Sequence, residues 1–139
     1  MTPVCGSSFK PFVYATAIEN GYYPASTVLN QQFNFNGWSP SNAGGDYSGY
    51  ETLRWGLANS VNVIAGRLTI SDMAPPYQVV KFTHRMGIKS HMDDYTSIAL
   101  GTVEVTPLEM VSAMGTFING GVHIDPISVL KIEDRNGIV

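Results

Sequence analysis

The chain has 139 residues, with 8 lysines and arginines against 11 aspartates and glutamates, a net charge of −3. This length fits one domain or a piece of a larger one, and the net negative charge argues against nucleic-acid binding, which normally needs a basic patch. Charged residues make up 14% of the chain, against roughly 25% in an average soluble protein. We therefore expect part of the surface to be covered by something else. Additional domains are one candidate.

Neither disulfides nor export signals are expected in this chain. The single Cys5 excludes an internal disulfide and a multi-cysteine metal site. No apolar run reaches the ~18 residues that a membrane-spanning helix needs. Residues 1–5 contain neither the basic nor the apolar stretch of a signal peptide.

Apolar spacing and end signals predict five helices. The first covers residues 8–20, and it must begin close to Ser7 because Pro11 is tolerated only in a first turn. In the last helix, Thr106 is a predicted N-cap whose capping box is completed by Glu109. The other predicted helices cover residues 52–59, 62–70 and 75–87, and the last covers 106–118.

Two other segments predict a loop and a strand. Residues 22–50 are rich in Asn, Gly, Ser and Pro and predict a long loop. Trp38, Tyr47 and Tyr50 either pack this loop down, which is the interpretation we favour, or line a groove. Residues 127–132 predict a strand, followed by a hairpin turn at 134–137 and a return strand beginning at 138–139. Because a hairpin cut there is a poor natural end, more sequence is expected to follow.

Ser7 and Lys10 form a Ser-x-x-Lys pair at the start of the first predicted helix. Residues three apart lie on one helical face, so the two side chains can meet. A lysine held partly dry can lose its proton and activate a serine hydroxyl as a nucleophile. The short pattern alone is weak evidence. A second match, from Ser128 to Lys131, falls in the predicted strand, where residues three apart face opposite sides.

Ser60 and Asn62 form a Ser-x-Asn pair between the second and third predicted helices. One interpretation is an ordinary junction, with a helix stop and an N-cap. The other places both side chains in a cleft facing Ser7, where Ser60 relays a proton and Asn62 binds a substrate amide. The three histidines show no metal-ligand spacing, so no metal site is predicted.

Several longer segments match the pattern of one family in the family's own order. The first contains Gly6-Ser7-Ser8-Phe9-Lys10-Pro11, and the fourth contains Ser60-Val61-Asn62. The matching segments are residues 6–14, 38–42, 47–49, 52–62, 99–110, 117–121 and 131–137. Together they resemble the transpeptidase domain of class A, bifunctional penicillin-binding proteins over nearly all of the chain.

The resemblance implies an α/β fold, that of penicillin-binding transpeptidases and serine β-lactamases. Residues 1–139 would form part of this domain, mostly its helical part with the start of the sheet. By the same resemblance, Ser7 would be the acylated nucleophile and Lys10 its base partner. Ser60 and Asn62 would complete the cleft.

The family cross-links peptidoglycan by attacking stem peptides that end in D-Ala-D-Ala, and β-lactam antibiotics acylate the same serine. No metal or organic cofactor is implied. The parent protein is expected at the periplasmic face of the bacterial inner membrane, although this chain has no membrane segment. The lead hypothesis is therefore a D,D-transpeptidase domain fragment. The alternatives are a non-catalytic β-lactam-binding sensor and an inactive truncated remnant.

The sequence departs from the family pattern at three points. No Lys-Thr-Gly motif occurs in the chain, although that motif's strand normally forms one wall of the site. The upstream membrane anchor and glycosyltransferase domain are not part of the chain. Cys5 stands where the family usually has proline. We therefore expect the isolated chain to be inactive and poorly stable.

Overall fold

A computed structural model of the chain describes residues 4–137, whose regular structure is helical apart from one small sheet. The helices are α1 (Lys10–Glu19), α2 (Leu53–Ala58), α3 (Asn62–Thr69), α4 (Pro76–Arg85) and α5 (Pro107–Ile118). Short 3-10 segments cover Gly6–Phe9, Ala43–Gly45 and Thr96–Leu100. All five predicted helices are present, and each observed end lies within two residues of the predicted one.

The core is built around α1, which packs against α2, α3 and α4. Phe12, Val13 and Ala17 on α1 are fully buried, as are Ile64 and Leu68 on α3. A helix enclosed on most sides is expected to be apolar almost all round. Any polar side chain on α1 must therefore find its partners inside the protein.

The predicted capping box at the start of α5 is confirmed. The Thr106 hydroxyl accepts a hydrogen bond from the Glu109 amide, and the Glu109 carboxylate accepts one from the Thr106 amide. The same carboxylate accepts hydrogen bonds from the amides of Lys89 and Ser90. Burial pushes the pKa of Glu109 upward, but the hydrogen bonds from Ser90, Thr106 and Lys89 outweigh it and lower the pKa to about 2. This carboxylate therefore ties the segment after α4 to the start of α5.

The sheet consists of strands β1 (Thr27–Asn30) and β2 (Gly49–Thr52), which pair antiparallel with Val28 opposite Glu51. Both strands begin inside the segment that was predicted as loop, so that prediction is wrong at 27–30 and 49–50. Each strand has only four residues. So short a strand has little periodicity of its own and depends on pairing with a distant segment.

The predicted strand at residues 127–132 is not formed. A strand needs a neighbour for its backbone hydrogen bonds, and no strand within residues 4–137 lies beside this segment. Its apolar side chains are exposed, Leu130 by 87%. The turn after it is formed, since the Gly137 amide donates to the Asp134 carbonyl at 3.0 Å. The predicted return strand lies outside the described residues.

Candidate active site

Ser7 is positioned by a close approach between two backbone segments. The Cys5 amide donates to the Val103 carbonyl at 3.1 Å, and the Gly6 amide donates to the Gly101 carbonyl at 3.0 Å. A Cβ atom on Gly101 would lie 2.0 Å from the Gly6 carbonyl oxygen. Only glycine fits there, and this contact fixes where the 3-10 turn carrying Ser7 begins. The Ser7 side chain itself is exposed.

Lys10 is the first residue of α1 and is 1% exposed. Its Nζ donates to three oxygens: the Ser60 carbonyl at 2.6 Å, the Ser60 hydroxyl at 3.0 Å and Asn62 Oδ1 at 2.7 Å. Burial lowers the pKa of Lys10 to about 8. The structure thus brings together Lys10, Ser60 and Asn62. Within residues 4–137 the Ser7 hydroxyl makes no hydrogen bond to any of the three, so its place in the same cleft stays a prediction.

Ser60 lies in the turn that ends α2 and has a positive φ of 53°. The Val61 amide donates to the Gly56 carbonyl at 2.9 Å, which closes the turn. Glycine is the usual residue in such a left-handed position, and a side chain there costs about 1–2 kcal/mol. The serine directs both its carbonyl and its hydroxyl toward Lys10, which a glycine could do only with the carbonyl.

Asn62 is the first residue of α3, and both the oxygen and the nitrogen of its side-chain amide are hydrogen-bonded. Its Oδ1 accepts from Lys10, while its Nδ2 donates to the Ser41 carbonyl at 2.9 Å. One N–H of Nδ2 has no partner within residues 4–137 and is available to a ligand. Ser41 belongs to the segment between β1 and β2, so that segment sets the orientation of Asn62.

An amide network in that segment was missed by the sequence analysis. Asn42 accepts a hydrogen bond from the Val63 amide at 2.9 Å and donates to Asn30 Oδ1 at 2.7 Å. Asn30 is 1% exposed and also donates to Ser48 at 3.1 Å. Asparagines in a polar loop give no sequence signal that separates such a network from solvated side chains. Asn42 does lie within one of the segments that resemble the family.

Aromatic side chains pack the segment between β1 and β2 against α3. The Trp38 ring packs edge-on against Phe33, and Arg67 lies over the Phe33 ring at 4.8 Å. A Cβ atom on Gly66 would lie 3.0 Å from Trp38. Trp38 therefore packs the loop down, as the favoured interpretation predicted, whereas Tyr50 is 73% exposed.

The chemistry open to this arrangement follows from the hydrogen-bonding capacity of the lysine. A neutral Lys10 amine has two N–H donors and one lone pair. The Ser60 carbonyl and Asn62 Oδ1 can only accept, so they can hold the two donors. The Ser60 hydroxyl can also donate, so it can reverse its hydrogen bond and place its proton on the lone pair. The cluster can therefore accept and pass on a proton.

No group of three or more potential metal ligands lies within residues 4–137. Over the same part of the chain, no helix has both the length and the apolarity needed to cross a membrane.

Comparisons with known proteins show which family the chain belongs to. A family model described as "Penicillin binding protein transpeptidase domain" matches residues 2–137. Penicillin-binding protein 1A of Neisseria gonorrhoeae is 39% identical over 141 aligned positions, which cover 95% of this chain and 17% of that protein. The corresponding protein of Haemophilus influenzae is 37% identical over 95% of this chain and 16% of its own length.

Solved structures show the same fold. The crystal structure of penicillin-binding protein 1A from Haemophilus influenzae matches with a TM-score of 0.86 and 37% identity, over 96% of this chain and 20% of that one. The PonA1 protein of Mycobacterium tuberculosis in complex with penicillin V matches with a TM-score of 0.89 and 25% identity, over 99% of this chain and 40% of that one. This chain spans less than a fifth of the length of the curated relatives from Neisseria gonorrhoeae and Haemophilus influenzae. The chain belongs to the penicillin-binding protein transpeptidase domain family.

Proposed function

We propose that residues 1–139 are the nucleophile-bearing part of a serine D,D-transpeptidase domain, which cross-links peptidoglycan stem peptides ending in D-Ala-D-Ala. The observation that carries the proposal is the buried Lys10 amine, held by Ser60 and Asn62 one turn after an exposed serine. Its pKa of about 8 makes a sizeable fraction neutral near physiological pH. A neutral amine in that place is the base that serine activation needs.

In the proposed acylation, neutral Lys10 accepts the proton of the Ser7 hydroxyl as Oγ attacks the carbonyl carbon of the penultimate D-Ala. The peptide C–N bond breaks, and the terminal D-Ala leaves with a proton that Lys10 passes on through the Ser60 hydroxyl. The free N–H of Asn62 holds the substrate amide. A β-lactam would acylate Ser7 in the same way, with its ring C–N bond in place of the peptide bond.

Transfer completes the proposed cycle. An amine of a neighbouring stem peptide attacks the Ser7 ester, and Oγ leaves and takes up a proton. The Lys-Thr-Gly wall of the family site is not among the 139 residues, so we assign this chain the serine, lysine and Ser-x-Asn side of the cleft. The similarity to penicillin-binding protein 1A supports a location on the periplasmic face of the bacterial inner membrane.

The pH dependence of acylation tests the role of Lys10. In the intact gene product that carries these residues, the rate of acylation by a labelled penicillin should rise with pH through about 8 and level off above it. The sign follows because the neutral amine, which forms as pH rises, is the base. Lys10→Ala should nearly abolish acylation. Lys10→Arg should not restore it, because arginine stays charged at working pH.

Acylation of Lys10→Arg at a near-normal rate would show that the base is another group.

The fate of the acyl-enzyme separates a transpeptidase from a β-lactam sensor. With a D-alanyl thioester donor, a transpeptidase transfers the acyl group to an added amine. A sensor retains it on the serine.

A further inference from the structure

The loop between β1 and β2 reaches the proposed site through the Ser41 carbonyl, which accepts from Asn62 Nδ2 at 2.9 Å. The Ser41 side chain is exposed, so the residues on either side of it must place this carbonyl. Pro40 is buried, and a Cβ atom on Gly66 of α3 would lie 3.2 Å from its ring. Asn42, on the other side, is hydrogen-bonded to α3 through its side chain. The Ser41 carbonyl is therefore held against α3 from both directions along the chain.

Asn42 supplies the capping acceptor that α3 lacks in its own N-cap residue. That residue is Val61, whose side chain cannot accept a hydrogen bond. Asn42 Oδ1 accepts instead from the amide of Val63, in the first turn of α3, at 2.9 Å. This bond satisfies one of the amides that have no partner inside a helix. The loop is thus attached at the end of α3 that carries Asn62.

The orientation of the Asn42 amide is fixed by its partners. Its Nδ2 uses both hydrogens, one to Asn30 Oδ1 at 2.7 Å and one to the Asp46 carbonyl at 2.8 Å. A turned amide would set nitrogen against the Val63 N–H and oxygen against the Asp46 carbonyl, which are unfavourable pairings. The Ser41 carbonyl belongs to the peptide bond that joins Ser41 to Asn42. The contacts that fix Asn42 therefore restrict that carbonyl as well.

Lys10 and the Ser41 carbonyl restrain the Asn62 amide to different extents. A Lys10 ammonium has only donors, so it requires Asn62 Oδ1 to face it. A neutral Lys10 amine also has a lone pair, which can accept from a turned Asn62 amide. The Ser41 carbonyl opposes that turn in both states, because it would then face Oδ1, a second acceptor. It thus keeps the free N–H of Asn62 in place when Lys10 is neutral.

We propose that Asn42 is a positioning residue, which orients the Asn62 amide so that its free N–H faces the amide carbonyl of the acyl donor. This inference rests on the proposed function, in which Asn62 holds the substrate amide, and adds the residue that orients it. Asn42 acts through the Ser41 carbonyl and takes no direct part in acylation. It therefore favours donors that carry an amide carbonyl over donors that lack one.

The test compares two acyl donors on the intact gene product that carries these residues. Penicillin V has a side-chain amide carbonyl, and 6-aminopenicillanic acid has the same ring system without it. The readout is the ratio of the second-order rate constants for acylation by penicillin V and by 6-aminopenicillanic acid. Asn42→Ala should lower this ratio about two- to tenfold, the range that one net hydrogen bond supports. A merely structural role would slow both donors equally and leave the ratio unchanged.

Asn34→Ala is the matched control. Asn34 lies in the same loop, is exposed, and accepts a hydrogen bond from the Gly37 amide at 3.0 Å. Its replacement removes an asparagine that stabilises a turn of the loop, as Asn42→Ala does, but at a different turn. The ratio should stay at the wild-type value.

Asn42→Asp is the conservative variant and should restore most of the ratio. Its carboxylate has the same shape and can still accept from the Val63 amide. Asn30 can turn its own amide to donate to the carboxylate, because the Ser48 hydroxyl that now accepts from Asn30 can donate instead. The loop would then remain attached to α3.

A double-mutant cycle tests whether Asn42 acts through Asn62. Asn62→Ala alone should lower the ratio, because the N–H that holds the amide carbonyl is removed. In the Asn62→Ala background, Asn42→Ala should cause no further decrease in the ratio.

An unchanged ratio in Asn42→Ala, where Asn62→Ala lowers it, would overturn the positioning role and leave the proposed function in place. A further decrease in the double variant would overturn it too, because Asn42 would then act independently of Asn62. An unchanged ratio in Asn62→Ala is a different result, which would remove the proposed role of Asn62 together with this inference. Failure of the wild type to become acylated would remove the proposed function as a whole.

Discussion

Ser60 combines a left-handed backbone with a hydroxyl that contacts Lys10. Its left-handed backbone is a position where glycine is favoured. The hydroxyl it retains is the one partner of Lys10 that can both accept and donate a proton. A glycine would keep the carbonyl contact to Lys10 but would lose the proposed relay.

Ser60→Gly should therefore separate stability from activity. We expect the free energy of unfolding to change by less than about 1 kcal/mol, because relief of the left-handed strain opposes the added chain entropy of glycine. The rate of penicillin acylation should fall by about 100-fold or more, the usual scale for loss of a proton-transfer group. Thermal unfolding and acylation kinetics on the same samples measure both effects.

Asn36→Gly is the matched control, because Asn36 also has a positive φ, of 51°, and is exposed. It should give the same small stability change with normal acylation. Wild-type acylation by Ser60→Gly would remove the relay from the mechanism.

At the scale of elements, the sequence predicted the helices well because their signals are local. Thr106 and Glu109 form a capping box, and Pro11 restricts where α1 can begin. The Ser60–Asn62 junction is both a helix boundary and a contact of Lys10. A helix boundary at this junction is therefore compatible with a contact to Lys10, while the proton relay and the binding of a substrate amide stay predictions.

The features that the sequence did not predict depend on distant partners. Strands β1 and β2 exist because they pair with each other, and the segment at 127–132 lacks such a neighbour within the described residues. The Asn30–Asn42 network is recognisable only once the loop is seated on α3.

The backbone contact between the turn at Ser7 and the segment at Gly101 can be tested by a substitution at Gly101. Gly101→Ala should lower the free energy of unfolding by more than about 2 kcal/mol. The new Cβ would clash with the Gly6 carbonyl, and alanine is also strained in the left-handed backbone at this position. Acylation should fall too, since the turn carrying Ser7 must move. Chemical denaturation and labelled-penicillin binding report the two effects.

Gly120→Ala controls for the backbone contribution alone. Gly120 has a similar φ of 62°, but nothing lies within 4 Å of a Cβ placed there. Gly120→Ala should lower the free energy of unfolding by only about 1 kcal/mol. Equal losses at the two glycines would mean that the Gly6–Gly101 contact is not close in solution.

At the scale of the whole molecule, residues 4–137 expose a strongly apolar surface. It consists of the outer face of α5 and the segment after it, with exposed Val111 (71%), Ile118 (89%) and Leu130 (87%). Apolar side chains exposed to this extent promote association. The low fraction of charged residues, 14%, offers little to oppose it.

The 139-residue chain on its own should therefore self-associate in a concentration-dependent way, as measured by sedimentation velocity. Ile118→Lys combined with Leu130→Lys should shift it toward monomer, because both changes place charge on the apolar surface. Tyr77→Lys adds a charge at an exposed position on α4, 59% accessible, and should leave association unchanged. Association that resists the paired substitutions would locate the contact elsewhere.

In the proposed transpeptidase site, Ser7 is the nucleophile. The most direct test of this role is to react the intact gene product that carries these residues with a labelled penicillin and map the adduct by peptide mass spectrometry. We predict one penicilloyl group per chain, on the peptide that contains Ser7, fragmented to Ser7 and absent from Ser7→Ala. An adduct on Cys5, two residues away, or one that persists in Ser7→Ala, would show that Ser7 is not the nucleophile.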